Sequence, residues 1–195
     1  KKYTILGFVD DYSPKGKIII KYDNKNFLNL GKIKDITNNK DLCGIIGVGS
    51  SVLRKKIFME IKTKFKNFKY EAIISKDSII DKNVKIGDGT IIISNSIINT
   101  GSVIGRHCLI NTTNSIDHDN YFKDFAGTGP GVVTGGKVTI GKMSYLGIGS
   151  IIKNTVKVGD NTFIGGASFV NKNCEHDSLY FGVPAIKVKK NNLKR

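Results

Sequence analysis

Residues 79–116 read IIDKNVKIGDGTIIISNSIINTGSVIGRHCLINTTNSI, and isoleucine returns every six positions: Ile80, Ile86, Ile92, Ile98, Ile104, Ile110 and Ile116. Extended both ways, the same ruler starts at Ile74 and passes through Phe122, Thr128, Thr134, Ile140, Leu146, Ile152, Val158 and Ile164 to Val170. Fifteen of its seventeen positions are bulky and apolar; a chain that is 39% hydrophobic would place about six or seven there. Only Thr128 and Thr134 depart. The next position is often glycine, as at Gly87, Gly105, Gly129, Gly135, Gly141, Gly147, Gly159 and Gly165. Two residues before the ruler the side chain is usually small or slim, from Ser78 and Val84 to Thr162 and Ser168.

A period of six matches neither the helical nor the simple strand repeat. It predicts a solenoid whose flat faces use six residues each, with one large side chain inward per face and a smaller one beside it. Glycine is expected to supply the backbone freedom of the corners. Three faces per coil give a repeat of about eighteen residues and about five coils between 74 and 170.

The rest of the chain narrows the function classes. At 195 residues it is long enough for one or two domains with a real core. No apolar run approaches the roughly eighteen residues of a membrane span, and no segment resembles a signal peptide. Cys43, Cys108 and Cys174 are odd in number and widely spaced, which points to neither a disulfide framework nor a zinc site and fits a reducing cytoplasm. The net charge of +15 raises nucleic-acid binding, but the lysines are spread along the chain and arginine occurs only at Arg54, Arg106 and Arg195. The reading is therefore no nucleic acid and no membrane insertion, with a positive field that favours an anionic small molecule.

Residues 1–70 do not follow the ruler. KKYTILGFVDD and KIIIKYD read as strands, and DLCGIIGVGSS reads as a buried strand leaving through glycines into a turn. SVLRKKIFMEIKTKFKNF spaces Leu53, Ile57, Ile61 and Phe65 four apart, as an amphipathic helix with Ser50 or Ser51 as cap and a solvated basic face. This is the pattern of a small α/β domain with a parallel sheet. The organisation expected is a small α/β, Rossmann-like domain over 1–70, a β-helix over 71–175, and a C-terminal segment with a mobile basic tail over 176–195.

The ruler residues resemble those of the hexapeptide-repeat acyltransferases, left-handed parallel β-helix proteins that are typically homotrimers with active sites between neighbouring prisms. The fold class expected is thus mainly β, a left-handed β-helix preceded by the α/β domain. GFVDD near the start, GVGSSVLRKK before the helix, NTTNSIDHDN in the repeat and Gly182-Val183-Pro184-Ala185 after it resemble one branch. That branch is the NeuD/PglD-like sugar acetyltransferases, which acetylate sialic acids on oxygen or bacillosamine-pathway sugars on nitrogen.

The resemblance implies acetyl-CoA as co-substrate, no metal, and a cytoplasmic enzyme of surface-polysaccharide biosynthesis. Its acceptor would be a nucleotide-linked amino sugar acetylated on nitrogen, with O-acetylation of a sialic-type sugar as the alternative. Carried across by matching residues, His118 is the general base, Asp119 holds its ring, and the Gly136 N–H stabilises the oxyanion. Gly127, Ile148 and Gly166 match coenzyme-contacting positions; Asp10, Asp11 and Gly49 match contacts of the substrate domain. His107 has no matching role and reads as a surface or inter-subunit residue, and His176 as part of an exit turn.

Two departures accompany the match. The family opens with a strand and a glycine-rich turn that this sequence lacks: either the segment precedes Lys1 or nucleotide binding is impaired. Many members also carry a second histidine where this chain has Gly127, which bears on how the acetyl group is placed. A zinc enzyme on the same prism, like the γ-type carbonic anhydrases, would need three convergent histidines, and His107, His118 and His176 lack that spacing. A non-catalytic or degenerate homologue is the remaining alternative.

Overall fold

The computed structural model describes residues 3–37 and 41–190. From Ile73 to Val170 it alternates two-residue strands with tight corners, and each ruler residue is the second residue of its strand. Strands eighteen residues apart pair in parallel, Ile91 with Leu109 and Ile97 with Ser115. Three sheets result. The first runs from Ile73–Ile74 to Phe163–Ile164, the second from Ile79–Ile80 to Phe169–Val170, and the third from Lys85–Ile86 to Lys157–Val158. The chain is a parallel β-helix of triangular section, as the ruler predicts.

The ruler side chains fill the prism. Ile92, Ile98, Ile104, Ile110, Ile116, Phe122, Ile140, Leu146 and Ile152 are all at most 1% exposed. The slim residue two positions earlier is buried beside them, and at Ser96, Ser102 and Ser144 it also ties a corner down. Ser96 Oγ donates to the Asn111 carbonyl at 2.7 Å, Ser102 Oγ to that of Asp117 at 2.9 Å, and Ser144 Oγ to that of Gly159 at 2.6 Å. Thr128, one of the two breaks in the ruler, faces inward as well and accepts from the Asn111 N–H at 2.9 Å.

The glycines after the ruler serve a different purpose from the one expected. None of the eight has a positive φ. They lie where successive coils approach: a β-carbon on Gly105 would stand 2.8 Å from the Asp124 nitrogen, and one on Gly129 2.6 Å from that of Ile148. The left-handed backbone of the corners falls three residues before the ruler instead. Asn95, His107, Thr113, Asp119, Phe125, Lys137 and Met143 all carry it, with φ between 53° and 62°.

The N-terminal part is sparser than expected. Residues 3–11 hold only a bridge between Phe8 and Asn29 rather than a strand. Ile18–Tyr22 and Lys25–Leu28 form an antiparallel hairpin. Cys43–Gly44 pairs in parallel with Lys69–Tyr70, and helix α1, Ser51–Lys64, makes the crossover between them. Ser50 caps that helix, its Oγ accepting from the Leu53 N–H at 3.4 Å. The buried side of α1 is Ser51, Arg54 and Ile61; Leu53 is 38% exposed. The stripe read as 53, 57, 61 and 65 is therefore rotated, and the basic face is not wholly solvated.

Arg54 and His107 explain the rotation. Arg54 is fully buried where α1 meets the prism, and its Nε donates to the His107 carbonyl at 2.7 Å. His107 is 2% exposed, not a surface residue. Its ring stacks on Phe125 with centroids 5.1 Å apart and meets Phe58 and Tyr70 at 4.6 Å each. Burial pushes its pKa down to about 4, helped by the charges of Arg54 and Arg106.

At the other end, Ser178–Phe181 joins the first sheet beside Phe163–Ile164, and Ile186–Lys190 returns antiparallel to it. The tail is thus paired as far as Lys190; residues 191–195 lie outside the described residues. His176 is in the exit turn as read, its Nδ1 accepting from the Asp160 N–H at 2.9 Å.

Candidate active site

His118 follows the second-sheet strand Ser115–Ile116, so the inward anchor Ile116 fixes the backbone two residues before it. The corner points the imidazole outward, with the side chain 48% exposed. Asp117 holds the start of the corner, accepting from the His118 N–H at 2.8 Å and from Asn99 Nδ2 at 3.3 Å. These contacts, with the backbone N–H first, lower the pKa of its carboxyl. Asp119 adopts φ 56°, and its Oδ2 lies 2.9 Å from His118 Nδ1. The two acids flanking the histidine thus divide: Asp117 serves the backbone and Asp119 the ring. With Nδ1–H donating to Asp119, the lone pair is on Nε2.

Nε2 faces Gly136, which lies one coil further along the same corner. A β-carbon on Gly136 would be 2.5 Å from Nε2 and 2.6 Å from Cε1, so only glycine leaves the ring its place. The Gly136 N–H donates to no group among the described residues, while its carbonyl accepts from Thr155. Gly101, one coil before Asp119, has φ 73°, and a β-carbon there would collide with Asp119 Oδ1. Sequence reading passed over Gly101; the eighteen-residue offset from Asp119 was the clue. An open groove beside this corner is lined by His118, Val133, Gly136, Lys137, Ile151, Lys153 and Asn154. It therefore joins an imidazole, a free N–H, apolar surface and two ammonium groups.

No protein-family model matches the chain. Among solved structures, PerB from Caulobacter crescentus in complex with CoA and GDP-perosamine is 26% identical at a TM-score of 0.71, over 74% of this chain and 69% of that one. A mutant of the GDP-perosamine N-acetyl transferase from the same organism, also with CoA and GDP-perosamine, is 25% identical at 0.71, over 75% and 69%. The chain resembles sugar acetyltransferases. The acetyltransferase domain of PglB from Neisseria gonorrhoeae, 22% identical at a TM-score of 0.84 over 93% and 86%, matches the fold, a left-handed parallel β-helix.

The structure brings together some of the other residues that the resemblance to sugar acetyltransferases singled out. Ile148 and Gly166 stack one coil apart at the corner between first and second sheets; Ile148 is 63% exposed, and a β-carbon on Gly166 would be 3.0 Å from its Cγ2. Gly127 is not on the groove. It is buried in the first sheet beneath the start of α1, 3.5 Å (from an added β-carbon) to Ser51 Oγ and 3.2 Å to the Tyr145 ring.

Asp10 and Asp11 lie in the N-terminal loop. Asp10 Oδ1 accepts from the Tyr12 N–H at 3.0 Å, and Asp11 Oδ1 from that of Ile33 at 2.9 Å. A hydrogen bond from Ser13 is the largest effect lowering the Asp10 pKa. The Gly49 carbonyl accepts from Arg54 Nη1 at 3.0 Å. No hydrogen bond among the described residues joins Asp10, Asp11 or Gly49 to His118. Among those residues no cluster of three or more His, Cys, Asp or Glu side chains could hold a metal ion, and no helix is long and apolar enough to cross a membrane.

Proposed function

We propose that the chain transfers the acetyl group of acetyl-CoA to the amine of a nucleotide-linked amino sugar. The observation that carries this reading is the His118–Asp119 pair set against the free N–H of Gly136 in an open groove. Two solved structures at 25% and 26% identity, both complexes with CoA and GDP-perosamine, support it.

His118 Nε2 takes the proton that the neutral sugar amine loses as its nitrogen attacks the thioester carbon, and Asp119 stabilises the imidazolium that forms. The Gly136 N–H donates to the oxygen that gains charge. Collapse restores the carbonyl, breaks the carbon–sulfur bond and returns the proton from His118 to the departing thiolate. Lys137 and Lys153 supply positive charge for phosphates on either substrate. Ile148 and Gly166 would contact the coenzyme, and Asp10, Asp11 and Gly49 the acceptor, with residues 1–70 as the acceptor domain. Gly127, packed against Ser51 and Tyr145, carries no coenzyme contact in this scheme.

The same reading includes a homotrimer with sites between prisms, in the cytoplasm, serving surface-polysaccharide synthesis. The outward column of the second sheet supports the assembly: Ile79, Ile97, Val133 and Ile151 are 67%, 39%, 41% and 47% exposed. Val133 and Ile151 also line the groove, so a copy seated on that column would wall the site.

The test is CoA release from acetyl-CoA with a panel of nucleotide-linked amino sugars. At least one acceptor should support turnover, and His118→Ala should lower kcat/KM for it by about 10²-fold or more. An unchanged rate in His118→Ala overturns the mechanism. Tight acetyl-CoA binding with no turnover across the panel points to a degenerate homologue instead.

A further inference from the structure

The guanidinium of Arg54 is buried with no carboxylate among its hydrogen-bond partners. Nη1 donates to the carbonyls of Val48 at 2.7 Å and Gly49 at 3.0 Å. Nε donates to the His107 carbonyl at 2.7 Å, and Nη2 to those of Phe125 at 3.1 Å and Ala126 at 3.4 Å, with Ser51 Oγ at 3.4 Å. Two partners are thus on the loop that leads into α1, and three are on the prism.

The prism partners are specific. His107 and Phe125 occupy the same corner position in consecutive coils, and no backbone N–H among the described residues donates to either carbonyl. Arg54 fills a gap in the coil ladder that repeats with the eighteen-residue period. Burying a charge among neutral groups is costly unless its donors are all satisfied. If α1 only had to be packed on the prism, an apolar side chain would do so at lower cost. A planar fork of N–H donors can instead hold two bodies in one fixed relation, which lysine does with fewer bonds.

We propose that Arg54 is a positioning residue for acetyl transfer, pinning the Val48–Gly49 loop to two consecutive coils and so setting where the acceptor sits. The role of that loop in acceptor binding rests on the function proposed above; the pin itself does not.

Arg54→Met and Arg54→Lys in the full chain test it by two readouts. Amide hydrogen exchange in Arg54→Met should rise together at residues 46–50 and around 107 and 125–126, by about tenfold or more, while the strands of distant coils keep their protection. The acceptor KM should rise about tenfold or more, with kcat and the acetyl-CoA KM held within about threefold, and Arg54→Lys should recover part of the loss. Unchanged exchange, or an acceptor KM that is unchanged or rises no more than kcat falls and the acetyl-CoA KM rises in a folded variant, overturns the proposal. If Arg54→Met does not fold, Arg54→Lys decides: wild-type exchange and acceptor KM in it overturn the pin. If the wild-type chain acetylates no acceptor, the functional reading fails, and the exchange measurement alone upholds or overturns the pin.

Discussion

His118 and Gly136 lie one coil apart on the same corner, with the Nε2 edge of the ring resting where a β-carbon of residue 136 would be. Gly136→Ala should therefore act on the ring and not on the backbone, because φ at Gly136 is not in the left-handed region. The expected result is a fall in kcat/KM of about tenfold to a hundredfold with a melting temperature within a few degrees of wild type. Steady-state CoA release and thermal denaturation check it.

Asp119 is held from two sides, by His118 and by the space above Gly101. Asp119→Asn keeps the shape but removes the charge that stabilises the imidazolium, and should lower kcat by about tenfold or more with a smaller change in KM. Gly101→Ala should reach the same site from outside the groove. The added methyl displaces the carboxylate, and φ 73° disfavours alanine, so activity and about 1 kcal/mol of stability should be lost together. Urea denaturation read beside the kinetics separates it from Asp119→Asn, which should keep its stability.

His107 makes stability depend on acidity. Its pKa is about 4 in the folded chain against 6.5 unperturbed, so between those values the unfolded chain binds the extra proton. Stability from this group is complete above pH 6.5, falls as the pH drops, and stops falling below about 4. His107→Phe keeps a ring between Phe58 and Phe125 and removes the titration. The difference in unfolding free energy between pH 7 and pH 4.5 should be smaller in the variant than in wild type.

The apolar column of the second sheet predicts the assembly. Val133→Asp and Ile151→Asp each put a carboxylate at its middle, and sedimentation velocity should show a trimeric wild type and smaller species in the variants. Activity should fall with the assembly, although neither residue touches the reacting atoms. A monomeric, active wild type would remove the inter-subunit site.

The prism was legible because its period is imposed by packing: one inward side chain per face, repeated until Val170. Even the breaks at Thr128 and Thr134 face inward, being 0% and 2% exposed. The corner that carries His118 followed from the same count. What failed had causes that lie across the chain. Arg54 reads as one more cation on a basic helix, because the carbonyls that bury it are more than fifty residues away. His107 reads as surface because its ring partners, Phe58 and Tyr70, come from a segment outside the repeat. The glycines were correctly found, but a sequence does not tell a residue needed for its φ from one needed for its small size.

The parallel register makes the molecule a counting device. Deleting one residue between His118 and Gly136 would turn every later ruler side chain off its inward position and part the two residues. Removing a whole eighteen-residue coil beyond Asn154 would leave both at their present spacing. Length changes in this chain are therefore tolerated in quanta of one coil, and the stretch from Gly101 to Gly136 is the part that admits no quantum at all.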